Sequence, residues 1–400
     1  MASLIAPSQD GLMVGFPPPP DKRITTANSH LPAHLGWLVQ NPGRLFPIAP
    51  VSRGEGPVTP LPAGESAALD ALTVDDGQGA RLPMTEIWQR TGVDAMLVLH
   101  KGKIVFERYF GDMTSTRQHA FYSCTKSVVG LLVEALIHEG AVDPGLAAAH
   151  YVPELQDSPA GSATVRQLLD MQAHFMFSDR PKVDGQVQVD YLMGLGFMPR
   201  PPGYAGPNGA YELLIGARPM GPHGGAFRYD NGSTDTLGWI LRRVRQSSLD
   251  ALVGQAIWSR LGCEQNAGFT LDAAGTEWAG GGLSACLRDF ARLGEMLRGQ
   301  GHFNGQQILP QAIFEAIQAG GDREAFADGA GVPTGGSYRS QFWITHDRHD
   351  SYAARGQFGQ RLWVAPKADL VIAQFAADPN LAALEPLRLR GFQAIADLYR

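Results

Sequence analysis

The chain has 400 residues, of which 44% are hydrophobic, and it carries a formal net charge of −6 at pH 7. This length and composition are typical of a globular enzyme with a large buried core. The acidic balance and the absence of extended basic runs argue against nucleic acid as a partner.

The first 80 residues are rich in proline and glycine, include the Pro17–Pro20 run and show little periodicity. This composition predicts an arm laid over the body of the protein, or a partly ordered tail, rather than a separate domain. Two apolar, β-prone segments follow, AMLVLH and IVFERYF, and the residues KGK join them. We predict a hairpin at this point.

Ser127–Gly140 is apolar on nearly every side and ends at a glycine. This pattern predicts a buried helix that begins near residues 121–123. Helical patterns recur at 164–172 and 236–246, on either side of a Gly/Pro-rich stretch, 180–225, which is far longer than an ordinary connection. We interpret that stretch as a lid-like loop whose aromatic residues help to form a pocket wall.

In the last third of the chain, Leu287–Leu297 has the periodicity of an amphipathic helix. The segments at 340–345, 354–366 and 369–376 are β-prone and predict a three-stranded meander, which a final helix follows. Strands at both ends of the chain, with helices between them, are typical of an α+β fold. The expected fold is one antiparallel sheet built from N- and C-terminal segments and flanked by helices, together with a helical lobe.

These patterns divide the chain into three parts. The first is the arm over 1–80, the second a sheet domain over 81–150 and 285–400, and the third a mainly helical domain over 151–284.

The sequence contains a single Ser-x-x-Lys motif, Ser123-Cys124-Thr125-Lys126. Residues three apart lie on one face of a helix, so the hydroxyl of Ser123 and the amine of Lys126 can approach each other. Burial at the start of an apolar helix lowers the pKa of a lysine and allows it to accept the serine proton. The spacing therefore predicts a serine nucleophile with a lysine base. Cys124 points about 100° away from that face, so we interpret it as a packing residue.

A second candidate element is Tyr229-Asp230-Asn231, in a turn that leads into a helix. A tyrosine beside a lysine ammonium loses its proton more readily and can relay protons between the nucleophile and a leaving group. The structural alternatives are a half-buried tyrosine at 229 and a helix cap at Asn231.

A third element is the segment Ala354–Gln360, placed on the middle strand of the meander. Glycines within a strand allow close approach by a substrate, and such a strand can supply a backbone N–H to an oxyanion. The structural alternative is that Gly356 and Gly359 mark a bulge.

Taken in their order along the chain, these three elements resemble the conserved motifs of the penicillin-recognising serine hydrolase superfamily. This superfamily includes class C β-lactamases, D-alanyl-D-alanine carboxypeptidases, esterases and 6-aminohexanoate-dimer (nylon oligomer) hydrolases. The likeness runs from about Met96 to the C-terminus and is strongest towards the last group, in segments such as YVPEL, LLDMQ and GQRLWVAP. It implies a β-lactamase-like fold and a cofactor-free hydrolase that cleaves linear amides or esters.

The resemblance also implies roles for single residues. Ser123 would be the acylated nucleophile, Lys126 its base and Tyr229 the proton relay, while the backbone N–H groups of Ser123 and Gln357 would form the oxyanion hole. The positions expected to contact substrate are Phe177, Asn231, Arg355, Gly356 and Phe358.

Two departures from the superfamily pattern bear on the substrate. Ala354-Arg355-Gly356 stands where β-lactamases carry Lys-Thr-Gly, so Arg355 replaces the missing lysine only if its side chain faces the cleft. Phe177 stands where nylon-oligomer hydrolases place a lid tyrosine, and phenylalanine donates no hydrogen bond. We therefore expect poor β-lactamase activity and leave the choice between amide and ester open.

Alternatives from other classes remain. Within the same superfamily, the alternative is a carboxylesterase or a D-amino acid amidase or peptidase. A binding protein that has lost turnover and a metal-dependent hydrolase rank below it. His346 and His349 have the spacing of a metal-binding pair in a polar segment, which a solvated turn explains as well. The resemblance predicts no metal or cofactor.

The expected partner is a small-molecule amide or ester, and a homodimer is compatible with the sequence. The cysteines Cys124, Cys263 and Cys286 are odd in number and far apart, so no disulfide framework is recognisable. No signal-peptide pattern and no run of 18 apolar residues occurs. We expect a cytoplasmic location and no membrane partner.

Overall fold

The computed structural model of the protein describes residues 11–177, 186–326 and 335–399. The first ten residues of the predicted arm lie outside these ranges. The predicted hairpin is confirmed, since its two strands pair antiparallel around a turn in which Lys101 and Gly102 both have positive φ. The elements up to residue 120 are α1 (Leu35–Gln40), β1 (Ile48–Val51), β2 (Thr73–Asp75), β3 (Arg81–Pro83), α2 (Met84–Arg90), β4 (Val93–His100), β5 (Lys103–Tyr109) and β6 (His119–Ala120).

The predicted helices of the middle region are confirmed, and the apolar one begins at Cys124, directly after Ser123. The 180–225 stretch differs from the expected loop because its described part contains two helices and a short strand; residues 180–185 lie outside the described ranges. The elements are α3 (Cys124–His138), α4 (Ala148–Tyr151), α5 (Pro159–Ser162), α6 (Val165–Leu169), β7 (Phe175–Met176), α7 (Gln186–Leu195), α8 (Ala210–Ile215), β8 (Arg218–Pro219), α9 (Gly232–Arg245), α10 (Leu249–Val253), α11 (Ser259–Leu261), β9 (Ala267–Thr270) and β10 (Leu283–Ala285).

The C-terminal meander has more strands than predicted. The segment 354–366, interpreted as one strand, forms two strands around a 3-10 turn, because Phe358 and Gly359 adopt positive φ and reverse the chain. The elements are α12 (Leu287–Arg298), β11 (His302–Phe303), β12 (Gln306–Gln307), α13 (Gln311–Ala319), β13 (Ser337–Arg339), β14 (Phe342–Ile344), β15 (Tyr352–Gly356), β16 (Gln360–Ala365), β17 (Leu370–Ala376) and α14 (Leu381–Asp397).

The main sheet has seven antiparallel strands in the order β13-β14-β15-β16-β17-β4-β5. The N-terminal hairpin joins the C-terminal meander through the pairing of β4 with β17. The predicted α+β fold, with one sheet built from both ends of the chain, is confirmed. The division into three domains stays a prediction.

Side chains alternate across this sheet and bury a core on each face. Leu97 of β4 belongs to the core that includes Phe290 of α12 and Val129 of α3, whereas its neighbour Val98 belongs to the core that includes Ile395 of α14. A second sheet, β1-β9-β10-β6, ties the N-terminal segment to the middle of the chain. Helix α3 thus starts between the two sheets, and Ser123 lies at that start.

Candidate active site

Ser123 lies at the N-terminus of α3 and lines a cavity, while Lys126 lies one turn further on and is 1% exposed. The ammonium nitrogen of Lys126 lies 2.6 Å from Oδ1 of Asn231 and 2.6 Å from the carbonyl oxygen of Gly280. Both partners are uncharged. A buried lysine held in this way is fixed in position without a direct ion pair to keep it protonated.

Asn231 reaches Lys126 because of its place at the start of α9. Its side chain makes no capping hydrogen bond, and Oδ1 of Asp230 instead accepts from the backbone N–H of Ser233 at 2.7 Å. Asn231 therefore occupies the N-cap position of the helix, as the structural alternative expected, but the side chain of Asp230 supplies the capping hydrogen bond. Asn231 is left free to orient the lysine.

Tyr229 is the third residue that the sequence predicts to act with Ser123 and Lys126. Its ring lies 5.5 Å from the Lys126 ammonium, and its hydroxyl interacts with Ser123. The ring is 37% exposed and packs against Trp343, with centroids 5.4 Å apart. Burial of the hydroxyl raises the pKa of Tyr229, although the interaction with Ser123 acts in the opposite direction. The tyrosine is thus protonated at neutral pH and placed to donate its proton.

Burial favours the neutral form of Lys126, and two nearby carboxylates oppose it. Burial lowers the pKa of Lys126 to about 8, against the opposing charges of Asp235 and Asp230. Asp235 is itself buried, and burial raises its pKa to about 6, while hydrogen bonding by Tyr191 and the charge of Lys126 act to lower it. A lysine with a pKa near 8 can accept a proton from a serine hydroxyl at physiological pH.

A buried chain of hydrogen bonds links the lysine to the cavity wall. The backbone N–H of Gly280 donates to Asp235 at 2.9 Å, the Tyr191 hydroxyl donates to the other carboxylate oxygen at 2.5 Å, and Trp278 donates to the Tyr191 oxygen at 2.7 Å. No motif signalled these residues. Asp235 lies in the polar run at the start of α9, a pattern that ordinarily indicates a helix cap.

The turn between β15 and β16 approaches the nucleophile very closely. A Cβ atom at Gly356 would overlap the carbonyl oxygen of Phe121, so only glycine fits there. Gln357 and Phe358 follow it and line the same cavity as Ser123. The Phe358 ring meets the ring of Tyr122 edge-on, with centroids 5.2 Å apart. Ser123 and Gln357 thus line one cavity, where we expect their backbone N–H groups to bind an oxyanion.

The cavity has a volume of about 610 Å³ and a largely apolar wall to which nine Phe, Tyr and Trp residues contribute. It collects the predicted residues Phe177, Asn231 and Phe358, and the Phe177 ring stacks on Tyr191 at 5.4 Å. The N-terminal segment forms part of the wall, which sequence reasoning missed because that segment carries no recognisable motif. The arm residues are Thr26, Ser29, His30, Leu35, Leu38, Pro42 and Phe46.

Two predicted substrate contacts are not among the residues that line this cavity. The Arg355 guanidinium lies 3.1 Å from Glu385 of α14 and 4.5 Å from the centre of the Trp343 ring. The prediction that Arg355 contacts substrate does not fit this position, because its side chain turns to the buried ion pair. Gly356 contributes close packing, as described above. Neither residue replaces the lysine of the Lys-Thr-Gly motif within the cavity.

Other candidate groups lie elsewhere. His346 contacts the Ser337 hydroxyl at 2.8 Å, and His349 contacts Asp397 at 3.0 Å, so each histidine has a separate partner. In the described ranges, no cluster of three His, Cys, Asp or Glu side chains could hold a metal ion.

All three cysteines are unpaired and buried, and burial raises the pKa of Cys124 to about 12. Within the same ranges, every helix is too short or too polar to cross a membrane.

The chain is similar to known proteins over most of its length. The sequence profile of the β-lactamase family matches residues 84–390. The 6-aminohexanoate-dimer hydrolase of Paenarthrobacter ureafaciens is similar over 352 residues at 34% identity, which covers 87% of this chain and 86% of that protein. A solved structure from Bacillus anthracis, provisionally named a 6-aminohexanoate-dimer hydrolase, has a TM-score of 0.86 at 31% identity, covering 95% of this chain and 97% of its own.

The similarity extends in fold to more distant hydrolases. EstCE1, a hydrolase with promiscuous acyltransferase activity, has a TM-score of 0.60 at 15% identity and covers 76% of this chain and 94% of its own. At that identity the likeness concerns the fold alone. The relatives from Paenarthrobacter ureafaciens and Bacillus anthracis, by contrast, share 34% and 31% sequence identity with this chain.

Proposed function

Because the chain belongs to the β-lactamase family and is a serine hydrolase of that superfamily, we propose that it cleaves linear amide or ester bonds through an acyl-enzyme on Ser123. One observation carries the proposal. Lys126 is buried, bound to two uncharged oxygens and placed beside Ser123 and Tyr229 at a cavity. That arrangement suits a lysine that accepts and returns protons.

Acylation proceeds in balanced steps. Neutral Lys126 takes the proton of Ser123, and the serine oxygen attacks the substrate carbonyl carbon as the carbonyl electron pair moves onto its oxygen. The N–H groups of Ser123 and Gln357 bind that oxyanion. When the intermediate collapses, the bond to the leaving group breaks, and Tyr229 gives its proton to the departing nitrogen or oxygen. The Lys126 ammonium then returns a proton to Tyr229.

Deacylation runs the same groups in reverse. A water molecule loses a proton to the tyrosine and lysine pair and attacks the acyl carbon, and the bond to Ser123 breaks as the serine oxygen regains a proton. The acid is released, and no cofactor is required by this scheme.

The cavity supports a linear, largely apolar substrate. Aromatic rings line it, and a single ion pair, Arg228 with Asp230 at 3.3 Å, lies among the lining residues. Arg355 lies outside the lining, so a cation for a β-lactam carboxylate is not supplied from that strand. We propose ω-amino acid amides, the class named for the Paenarthrobacter relative, as the first substrates to test. Phe177 cannot donate a hydrogen bond to a scissile amide, so we expect esters to be cleaved as well.

A substrate panel tests this proposal. Purified protein is assayed with short p-nitrophenyl esters, linear ω-amino acid amides, D-amino acid amides and nitrocefin, in parallel with Ser123→Ala. We expect turnover of linear esters or amides that Ser123→Ala abolishes, and little hydrolysis of nitrocefin. Turnover that survives in Ser123→Ala and disappears with a chelator would indicate a metal-dependent enzyme and refute the proposal.

The second candidate is a carboxylesterase without useful amidase activity. The phenylalanine at 177, which cannot donate a hydrogen bond to a scissile amide, favours it. The ratio of kcat/KM for an ester and an amide with the same acyl group separates the two candidates.

The three unpaired cysteines are compatible with a reducing compartment, so we propose a cytoplasmic location, which fractionation of the native host tests.

A further inference from the structure

A buried arginine, Arg361, binds the peptide group that carries the expected oxyanion donor, the N–H of Gln357. Nη1 of Arg361, on β16, donates to the carbonyl oxygen of Gly356 at 2.8 Å and to that of Gln360 at 2.6 Å. The Arg361 side chain is 2% exposed. A cation therefore binds the C=O end of the peptide group whose N–H belongs to Gln357.

The geometry of a peptide bond fixes where that N–H points. The 356–357 peptide is trans, so its carbonyl and its N–H point in opposite directions. With the Gly356 carbonyl turned to Arg361, the Gln357 N–H faces away from the arginine. Gln357 and Ser123 both line the cavity, which is where the proposed mechanism needs that N–H.

The remaining carbonyls of the turn are also held in place. The carbonyl of Gln357 accepts from the Gln360 side chain at 3.1 Å, that of Phe358 from the Asp378 backbone at 2.9 Å, and that of Gly359 from the Gln374 side chain at 3.0 Å. These three donors are uncharged amides. The charged donor acts on the peptide that carries the Gln357 N–H.

The cluster behind the turn has an excess of positive charge. Glu385 binds Arg361, lies 3.1 Å from Arg355 and 2.9 Å from Arg388, and Arg388 also contacts Asp378 at 2.8 Å. Three cations thus face two carboxylates. Burial would raise the pKa of Glu385, yet the three arginines hold it at about 2, so the carboxylate is charged at any working pH.

We propose that Arg361 is a positioning residue for catalysis, which orients and polarises the Gly356–Gln357 peptide so that its N–H stabilises the oxyanion more strongly. A charge-assisted hydrogen bond to the carbonyl withdraws electron density from the peptide and strengthens its N–H as a donor. Arg361 itself does not touch the substrate. The inference rests on the proposed acyl-enzyme mechanism and adds to it the origin of the oxyanion-hole field.

The test compares Arg361→Gln and Arg361→Lys with Arg388→Gln. Arg388 belongs to the same buried cluster, but its hydrogen bonds go to Glu385, Asp378 and the carbonyl of Thr91. The acyl-enzyme formed from a slowly deacylating ester is examined by infrared difference spectroscopy, which reports the stretching frequency of the acyl carbonyl. Single-turnover acylation rates are measured on the same samples.

We expect Arg361→Gln to move the acyl carbonyl stretch to higher frequency and to slow acylation by roughly 10- to 100-fold, less than the loss of a whole oxyanion donor. Arg361→Lys, which keeps the charge, should give a smaller change in both the stretching frequency and the acylation rate. This variant replaces Arg361→Gln in the test if the Gln variant does not fold. Arg388→Gln should lower thermal stability while leaving the stretch at its wild-type frequency.

An unchanged stretch in both Arg361 variants, or an equal shift in Arg388→Gln, would overturn the inference, since Arg361 would then contribute only to folding. Failure of the wild-type protein to form an acyl-enzyme would instead refute the proposed function. The two failures are therefore distinguishable.

Discussion

Two parts of the cavity are held in place by different kinds of interaction. The catalytic floor, comprising Ser123, Lys126, Tyr229, Asn231 and the 356–358 turn, is fixed by backbone contacts and buried hydrogen bonds. Gly356 admits no side chain, and Lys126 has both of its oxygen partners at 2.6 Å. The pocket rim, formed by lining residues within 26–46, 175–177 and 191–198, consists mainly of side chains that meet through aromatic and aliphatic contacts, such as that between Phe46 and Phe197.

This difference separates chemistry from selectivity. A floor held by backbone atoms and charges tolerates little change, because a displacement of about 1 Å can reduce catalysis by roughly 100-fold. A rim of packed side chains can change shape one residue at a time while the floor stays in place. Floor substitutions should therefore reduce turnover of every substrate, and rim substitutions should change the ratio between substrates.

The largest effect is expected from Lys126→Ala. Removing the base leaves the Ser123 proton without an acceptor, and we expect kcat to fall by about 10⁴-fold for esters and amides alike, as for other nucleophile and base pairs. Steady-state kinetics on both substrate types checks this, with Lys101→Ala, an exposed lysine in the β4–β5 turn, as the control. A loss confined to one substrate type would break the distinction between floor and rim.

Gly356→Ala tests the close approach of the turn to the nucleophile. The new methyl group would push the turn away from Phe121, and we expect kcat to drop by roughly 10²- to 10³-fold, the range for losing an oxyanion donor. The matched control is Gly56→Ala, where an added Cβ meets no atom within 4 Å. Activity within a few-fold of wild type in Gly356→Ala would show that the turn is not part of the floor.

The pH dependence tests the charge state of the floor. Only neutral Lys126 can accept the serine proton, so kcat/KM should rise with pH and level off above about 8, the pKa of Lys126. The negative charge of Asp235 favours the ammonium form, so Asp235→Asn should move the midpoint to lower pH. Asp157→Asn, an exposed carboxylate, is the control. A midpoint unmoved by Asp235→Asn would exclude Asp235 from the electrostatics of the base.

The smallest effect is expected at the rim. Phe177→Tyr places a hydroxyl in the cavity, which can donate to a scissile amide, and should raise the amide-to-ester ratio of kcat/KM by a few-fold, as one hydrogen bond is worth about 1 kcal/mol. Phe46→Tyr, on the arm side of the same rim, is the comparison. An equal fall in both activities would place Phe177 with the floor.

The floor was more accessible to sequence reasoning than the rim. Ser123 and Lys126 are one helical turn apart, so local spacing alone juxtaposes them. Tyr229 and Asn231 are close in sequence and belong to one recognisable motif. Asp235, Gly280 and Arg361 act through contacts that only the tertiary structure creates. The arm residues at the rim have no periodicity that could have signalled a role.

The errors have physical causes too. Gly356 and Gly359 inside a β-prone segment are compatible with a strand, a bulge or a turn, and the positive φ of Phe358 decides for the turn. Arg355 was expected to face the cleft if it replaced a lysine, but Glu385, 30 residues away on another element, binds it on the buried side. The direction of a side chain on a strand end depends on such distant partners.

Trapping the acyl-enzyme tests the central claim most directly. The protein is treated with a fluorophosphonate, or with a slowly deacylating ester, and digested for mass spectrometry. The proposed mechanism predicts one adduct, on Ser123, whose formation rate rises with pH through about 8 and is lost in Lys126→Ala. An adduct on another residue, or ester hydrolysis that persists in Ser123→Ala, would contradict it.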